Sequence, residues 1–317
     1  MSNIESELKL RLADPDDLKN LFRVLKEFTP QEAREEKLAT TYYDTAGYHL
    51  LKAGLSYRLR HSHAGITATV KADGQSDGGL HRRLEFNAPV RKGLPDITPF
   101  LAVPVGGRLK AAVGAAELIP ICGTSFARYI LDLTLPDGSE IELAVDCGEI
   151  TAAAKTVPLL EIELELKQGS YLALIKLGAE LAQRIPLLIE LESKLARAVA
   201  LGGIELKFPS ENKTAAAPLP VALLYSLINE HQLFLLEPNA DNLTSLKTAW
   251  RKLDPELAAL KTAAVKTRPL ATFFASEDKD IGKIHKLLAS GWATPIFLNL
   301  WAYLEENIRE CQTPHRS

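Results

Sequence analysis

Two stretches, at either end of the first 200 residues, carry charges at every second position. Glu5, Glu7, Lys9 and Arg11 alternate with a face that includes Ile4, Leu8, Leu10 and Leu12. Glu161, Glu163, Glu165 and Lys167 alternate with Ile162, Leu164 and Leu166. Period two is the signature of a half-buried strand. Carboxylates at i, i+2 stand roughly 7 Å apart on one face of a strand, an arrangement that costs free energy unless something positive lies between them. Hard divalent cations take such oxygen donors readily. The stretches between supply the opposite sign, with Arg58 and Arg60 in phase, then Lys71, then Arg83 between His81 and Glu85, then Arg128 and, on a later strand, Asp146. Guanidinium forks match phosphate oxygens. A surface with both sets of charges suits an anion that is itself complexed to a metal, and a metal-bound polyphosphate meets that description.

The elements that must hold these residues can be read in order. Asp14-Pro15 opens a helix over 14–28 whose Leu18, Leu21, Phe22, Leu25 and Phe28 recur at helical spacing. Strands are predicted at 37–43, 54–61, 66–71, 80–86, 125–133, 139–147 and 160–167, with Pro136-Asp-Gly138 as a hairpin turn. Residues 88–124 read as loops with short helices. Helices follow near 170–184 and 189–200, the second carrying Glu190, Ser193, Lys194 and Arg197. In an ordinary sandwich the charged faces would be solvated. Here the amphipathic helices need an apolar surface to cover, and the apolar faces of the strands supply it if they point outward. The charged faces then line the inside of a closed barrel, and eight strands leave a lumen wide enough for a small ligand.

The fold class expected is therefore α+β: an eight-stranded antiparallel β-barrel tunnel with outer helices (1–205), a linker (206–219) and a small all-α bundle (220–317). The last hundred residues show helical periodicity at Leu223–Leu236, Leu243–Val265 and Ile281–Ile308, with eleven basic and eleven acidic side chains between 218 and 317.

Hydrophobic residues make up 46 % and charged residues 24 % of 317, and net charge is −3, so no global field draws nucleic acid or anionic membrane. The apolar runs are too short for a membrane span, and no signal peptide is recognised. Cys122, Cys147 and Cys311 form neither a disulfide framework nor a zinc pattern. A cytoplasmic setting is expected. His81 shares the lumen phase, but a hydrogen-bonded structural role is favoured over ligation. Cys147 is expected to face outward as a small apolar residue.

Taken as an ordered series, these motifs resemble a known family. Glu5-x-Glu7-x-Lys9, Arg58-x-Arg60, Thr69-Val-Lys71, Gly79-Leu-His-Arg-Arg83-Leu-Glu85, Phe126-Ala-Arg128, Asp146-x-Gly148-Glu149, Glu161-x-Glu163-x-Glu165 and Ser193-Lys194 look like the signature of the CYTH superfamily, the triphosphate tunnel metalloenzymes. The likeness is greatest to bacterial inorganic triphosphatases that carry a helical domain after the tunnel. The resemblance implies Mg²⁺ or Mn²⁺ held by Glu5, Glu7, Asp146, Glu161 and Glu163. It implies a phosphate clamp of Lys9, Arg58, Arg60, Lys71, Arg83, Arg128 and Lys194. Glu5, Glu7, Lys9, Lys71, Glu161, Glu163 and Glu165 would form the catalytic set, with Glu165 and Glu85 supporting the metal site. The implied reaction is hydrolysis of inorganic triphosphate to diphosphate and phosphate. Thiamine-triphosphate hydrolysis, nucleotide cyclisation of the class IV adenylyl cyclase type, and non-catalytic polyphosphate or nucleotide sensing remain as alternatives. The helical part resembles a shortened CHAD domain. Its neutral charge argues for packing or homodimerisation over polyphosphate binding.

Overall fold

The computed structural model describes residues 4–29, 31–91, 93–205, 217–260 and 267–312, and side chains as far as 307. The described strands are β1 (Ile4–Leu12), β2 (Arg34–Asp44), β3 (Leu55–Ser62), β4 (Gly65–Asp77), β5 (Leu80–Val90), β6 (Ile119–Thr134), β7 (Glu140–Ala152), β8 (Lys155–Gln168) and β9 (Leu187–Ile189). The first eight close into an antiparallel ring in the order β1-β5-β4-β3-β2-β6-β7-β8, with β8 returning to β1. Its first half, from Ile4 to Leu8, pairs with β5; from Leu10 to Leu12 it pairs with β9. The barrel expected from the alternation is thus present, with β9 as a three-residue addition.

Around the barrel lie α1 (Leu18–Phe28), α2 (His49–Lys52), α3 (Gly106–Val113), α4 (Tyr171–Arg184) and α5 (Lys194–Leu201). The helical region follows as α6 (Leu219–Leu236), α7 (Ala240–Ala259), α8 (Arg268–Ala275), α9 (Ile281–Ala289) and α10 (Thr294–Gln312). The helix expected at 189–200 is two elements, because β9 adds to β1 before Ser193 caps α5 through the Ala196 amide. α8 has no counterpart in the sequence reading, and the span expected to be helical to Val265 ends at Ala259. Most of the expected linker, 206–216, lies outside the described residues, as does 261–266.

The apolar strand faces point outward, as the amphipathic helices require. Leu8, Leu10, Leu143, Val145, Ile162 and Leu164 pack against Leu174, Ile175 and Leu181 of α4, and the same cluster runs into Leu224, Leu227, Phe297 and Trp301 of the helical region. Each such side chain contributes roughly 1.5–3 kcal/mol by burial. Close approach of α4 to β1 depends on Gly178, where a Cβ would lie 2.6 Å from Leu8 Cδ2. A second cluster, Tyr57, Leu59, Val70 and Phe86 with Phe100 and Leu109, covers the β3–β5 side. α6 is long and apolar enough to be a membrane-span candidate, and 44 % of it is buried within the protein.

A third cluster was not foreseen. Leu38, Tyr42, Cys122, Phe126, Ile150 and Leu159 pack against Leu195, Ala198 and Val199 of α5. These strand residues share the phase of the charged ones, so part of the lumen is apolar and α5 fills it. What stays open is the charged part.

Candidate active site

A cavity of about 920 Å³ occupies the remainder of the lumen. Glu5, Glu7, Lys9, Arg58, Arg60, Lys71, Arg83, Arg128, Glu163, Glu165 and Lys194 all line it, so residues from six strands and one helix converge as expected. Asp146 and Glu161 share the lumen phase but do not line the open part, being fully buried where Lys194 and Arg197 of α5 pair with them.

The deepest group is built on Glu163. Its Oε1 accepts from Lys9 Nζ at 2.9 Å and from Lys194 Nζ at 2.7 Å, while its Oε2 accepts from Arg128 at 2.5 Å. Arg128 also forks onto both oxygens of Asp146 at 2.7 Å each. Glu161 accepts from Lys9 at 3.2 Å, Lys194 at 3.1 Å and Arg197 at 3.3 Å. Burial alone would raise the Glu163 carboxyl, but Lys194, Lys9 and Arg128 hold it well below the usual carboxylate range. At Glu161 burial wins and the carboxyl is raised. Burial pulls the Lys194 ammonium down, and Asp146, Glu161 and Glu163 more than offset it, to about 12.

A second group lies on the wall formed by β1, β4 and β5. Lys71 bridges Glu5 at 2.7 Å and Glu85 at 2.5 Å. Arg83 donates to Glu5 at 2.7 Å and to Glu7. Register dictates these contacts, since Glu5 is directly opposite Arg83, and Lys71 opposite Glu85. Burial opposes ionisation of Glu5, and the Lys71 and Arg83 charges overcome it and lower its pKa strongly. His81 is buried, with Nε2 3.4 Å from the Glu190 carbonyl oxygen. Burial, Lys9 and Arg83 push its pKa well below the ordinary value. Cys147 is half-buried beside the outward apolar residues.

Arg58 and Arg60 differ from the rest. Among the described residues no carboxylate lies within ion-pair distance of either, although both line the cavity. Arg58 is 9 % exposed and its Nε has no hydrogen-bond partner. Burial, Arg58 and Arg128 lower the Arg60 guanidinium to about 10. Burial opposes the Arg58 charge, but Tyr42, Glu85 and Glu5 more than offset it and raise its pKa. Arg60 is therefore a lumen cation whose charge its surroundings leave uncompensated.

The donor chemistry fits a hard divalent cation. Glu5, Glu7, Glu163 and Glu165 present carboxylate oxygens to the cavity. Among the described residues, no group of three acidic, histidine or cysteine side chains is arranged as a ready metal cage, because each carboxylate is turned toward a lysine or arginine. Asp146 and Glu161, expected among the ligands, are held by Arg128, Lys194, Lys9 and Arg197. The sequence reading names Arg197 on this last helix of the barrel but gives it no role. Its position three residues after Lys194, one helical turn on, is the signal that would have found it.

Known proteins resemble the chain over the barrel. The CYTH domain model matches residues 3–199. An inorganic triphosphatase of Haemophilus influenzae is 33 % identical over 180 residues, covering 54 % of this chain and 48 % of that protein. The chain therefore spans about half the length of that curated relative. Among solved structures, a Hippeastrum protein named as a candidate adenylyl cyclase with a dominant triphosphatase activity is 21 % identical, with a TM-score of 0.46 over 65 % of this chain and 99 % of that one. A protein from Pyrococcus horikoshii is 18 % identical, with a TM-score of 0.40 over 62 % of this chain and 99 % of its own. On the match that spans the barrel from β1 through most of α5, the chain belongs to the CYTH domain family.

Proposed function

We propose that the protein hydrolyses inorganic triphosphate to diphosphate and phosphate inside the barrel, with a divalent metal ion. The observation that carries this reading is the pair Arg58 and Arg60, one buried and one partly buried, on the cavity wall with no carboxylate in ion-pair range, the Arg60 charge being disfavoured by burial and by Arg58 and Arg128. A cation disfavoured in this way is costly, and it is retained where an anion completes it. The inorganic triphosphatase that shares 33 % identity supports the choice of substrate.

In this reading Arg58 and Arg60 grip phosphate oxygens, and Lys71 and Arg83 flank them from the neighbouring strands β4 and β5. Lys9, Arg128 and Lys194 supply fixed positive charge beside the reacting phosphate, where a water-poor site makes it effective. Glu5, Glu7 and Glu163, with Glu165 beside them, would hold Mg²⁺ or Mn²⁺. When bound, the ion neutralises charge on the phosphate oxygens and lowers the pKa of water bound to it. Asp146 and Glu161 position Arg128, Lys194 and Lys9. No side-chain nucleophile is required.

The test is phosphate release from inorganic triphosphate with Mg²⁺ or Mn²⁺, beside ATP and thiamine triphosphate, with Arg58→Gln as control. Metal-dependent release, fastest with inorganic triphosphate and weakened in the variant, is expected. Preference for either organic triphosphate would move the assignment to that substrate. Tight binding without turnover would make the protein a sensor, and neither binding nor turnover would overturn the reading.

A further inference from the structure

The lumen cations Lys9, Lys71, Arg83, Arg128 and Lys194 are each paired with carboxylates. β2 offers Arg58 and Arg60 something different. Strand register sets Tyr42 directly opposite Arg58 and Thr40 directly opposite Arg60, in the inward phase. The Thr40 hydroxyl accepts from Arg60 Nε at 3.4 Å. The Tyr42 hydroxyl oxygen accepts from Arg58. Both oxygens belong to neutral groups, so they aim the two guanidinium groups without cancelling their charge.

Tyr42 differs from Thr40 in where it stands. It is 5 % exposed and shares an apolar cluster with Leu51, Cys122 and Leu195, yet it also borders the open cavity. The ladder between β2 and β6 slips between Tyr42 and Tyr43, with Ile121 as the extra residue. A bulge re-aims the side chains beside it. Tyr43 turns outward to Tyr57, with 6.2 Å between ring centroids, while Tyr42 turns inward. Its hydroxyl is thereby held where the apolar part of the lumen gives way to the charged part, close enough to bear on Arg60 as well as Arg58.

A phenol has one hydrogen to donate, and an arginine can only donate. Contact with Arg58 therefore uses a lone pair of the Tyr42 oxygen and leaves its hydrogen. Among the described residues no protein acceptor receives that hydrogen, whereas the hydroxyls of Tyr57 and Tyr171 each donate to a protein oxygen. A buried tyrosine hydroxyl usually finds a partner. Deepening the triphosphate reading and resting on it, we infer that Tyr42 is the third member of the anion grip, donating its hydroxyl hydrogen to an oxygen of the phosphate that Arg58 and Arg60 hold. The contact is a hydrogen bond and no proton is transferred. It adds a donor fixed by a packed ring, with no charge of its own to desolvate.

Tyr42→Phe keeps the ring in its apolar cluster and removes the hydroxyl alone. The experiment is titration calorimetry with diimidotriphosphate, whose P–N–P bridges resist hydrolysis, in the presence of Mg²⁺. It compares the unaltered protein, Tyr42→Phe, Arg58→Gln and the double variant. Tyr42→Phe should weaken binding about tenfold, the scale of a hydrogen bond to a charged group, and leave the urea midpoint of the unliganded protein unchanged. In the Arg58→Gln background the same change should still weaken binding at least about threefold, because the contact is with the anion itself. Unchanged binding in Tyr42→Phe would overturn the proposal. So would an effect that vanishes in the Arg58→Gln background, which would leave Tyr42 only aiming Arg58. Phosphate release from inorganic triphosphate, assayed on the same preparations, separates this claim from the hydrolase. The expected binding pattern without release would remove the hydrolase and keep Tyr42 in the anion site. Failure of the unaltered protein to bind the analogue would overturn both.

Discussion

Lys9 and Lys194, on the first strand and the fifth helix, donate to the same two carboxylate oxygens, Glu161 Oε1 and Glu163 Oε1. Two ammonium groups brought together repel, and only a pair of acids shared between them makes the contact favourable. This four-residue knot fastens α5 to β8 and β1 and fixes the charge at the centre of the lumen.

Removing one acid from the knot should therefore be expensive twice over. In Glu163→Gln, Lys9, Lys194 and Arg128 lose a common partner inside the protein. Stability should fall by about 3–5 kcal/mol, the scale of breaking a buried pair. Phosphate release should fall at least about a hundredfold, the scale of removing fixed charge stabilisation from an enclosed site. Urea denaturation and a phosphate-release assay on one preparation check both figures. Full activity in a folded variant would remove Glu163 from the mechanism.

Arg60 should behave in the opposite sense. Its guanidinium is lowered to about 10, so the folded protein disfavours its charge by about 3 kcal/mol. Arg60→Gln should raise the denaturation midpoint while increasing KM for triphosphate about 10–100-fold, the worth of a charge-assisted hydrogen bond. Added triphosphate should stabilise the unaltered protein more than the variant. A variant that is both less stable and unimpaired in binding would contradict the proposed role of Arg60.

Chelation should abolish turnover. Treatment with EDTA should bring phosphate release to the uncatalysed level, and Mg²⁺ or Mn²⁺, added separately, should restore it. Ca²⁺ prefers longer bonds and more ligands than the lumen carboxylates present to it, and should restore less. Undiminished release in EDTA would exclude a metal-assisted reaction.

Acid sensitivity should originate partly outside the lumen, at His231 of α6. The ring lies against Phe297 at 5.3 Å, its Nε2 is buried without a partner, and burial with the nearby Arg11 charge lowers it to about 4. Unfolding frees the ring to titrate near 6.5, so between those values the unfolded chain binds the extra proton. Stability is full above about pH 6.5 and is lost as pH falls toward 4, at up to about 1.4 kcal/mol per pH unit. His231→Gln should flatten that segment of the stability–pH curve. An unchanged slope would assign the acid sensitivity to other groups.

The particular residues show why some of this was legible beforehand and some was not. The alternation in β1 and β8 is strict, and a half-buried strand has no other way to read. The inward direction of the charges followed from α1 and α4, whose apolar stripes need a surface to cover. The same period of two places Leu38, Tyr42, Phe126 and Ile150 in phase with Arg60 and Arg128, but it cannot say which lumen positions meet solvent and which meet α5. Asp146 and Glu161 look like Glu163 in sequence. They share its inward phase, and only the seating of α5, whose Lys194 and Arg197 pair with them, takes them out of the open cavity. α8 spans eight residues, too few for a periodic pattern to declare itself against its surroundings.

The ring closes through β1, and that has a consequence for how the chain is made. Lys9 is synthesised 152 residues before Glu161 and 154 before Glu163, the acids that neutralise it. At roughly 5–20 residues per second of synthesis, β1 waits on the order of ten to thirty seconds for β8 to emerge. Pairing with β5 comes sooner, and Arg83 can meet Glu5 and Glu7 in that interval. The nascent barrel is then an open, half-charged sheet with an unpaired edge on β1. Its closure is a late event, timed by the ribosome, and helper proteins that shield strand edges would find their target in that interval.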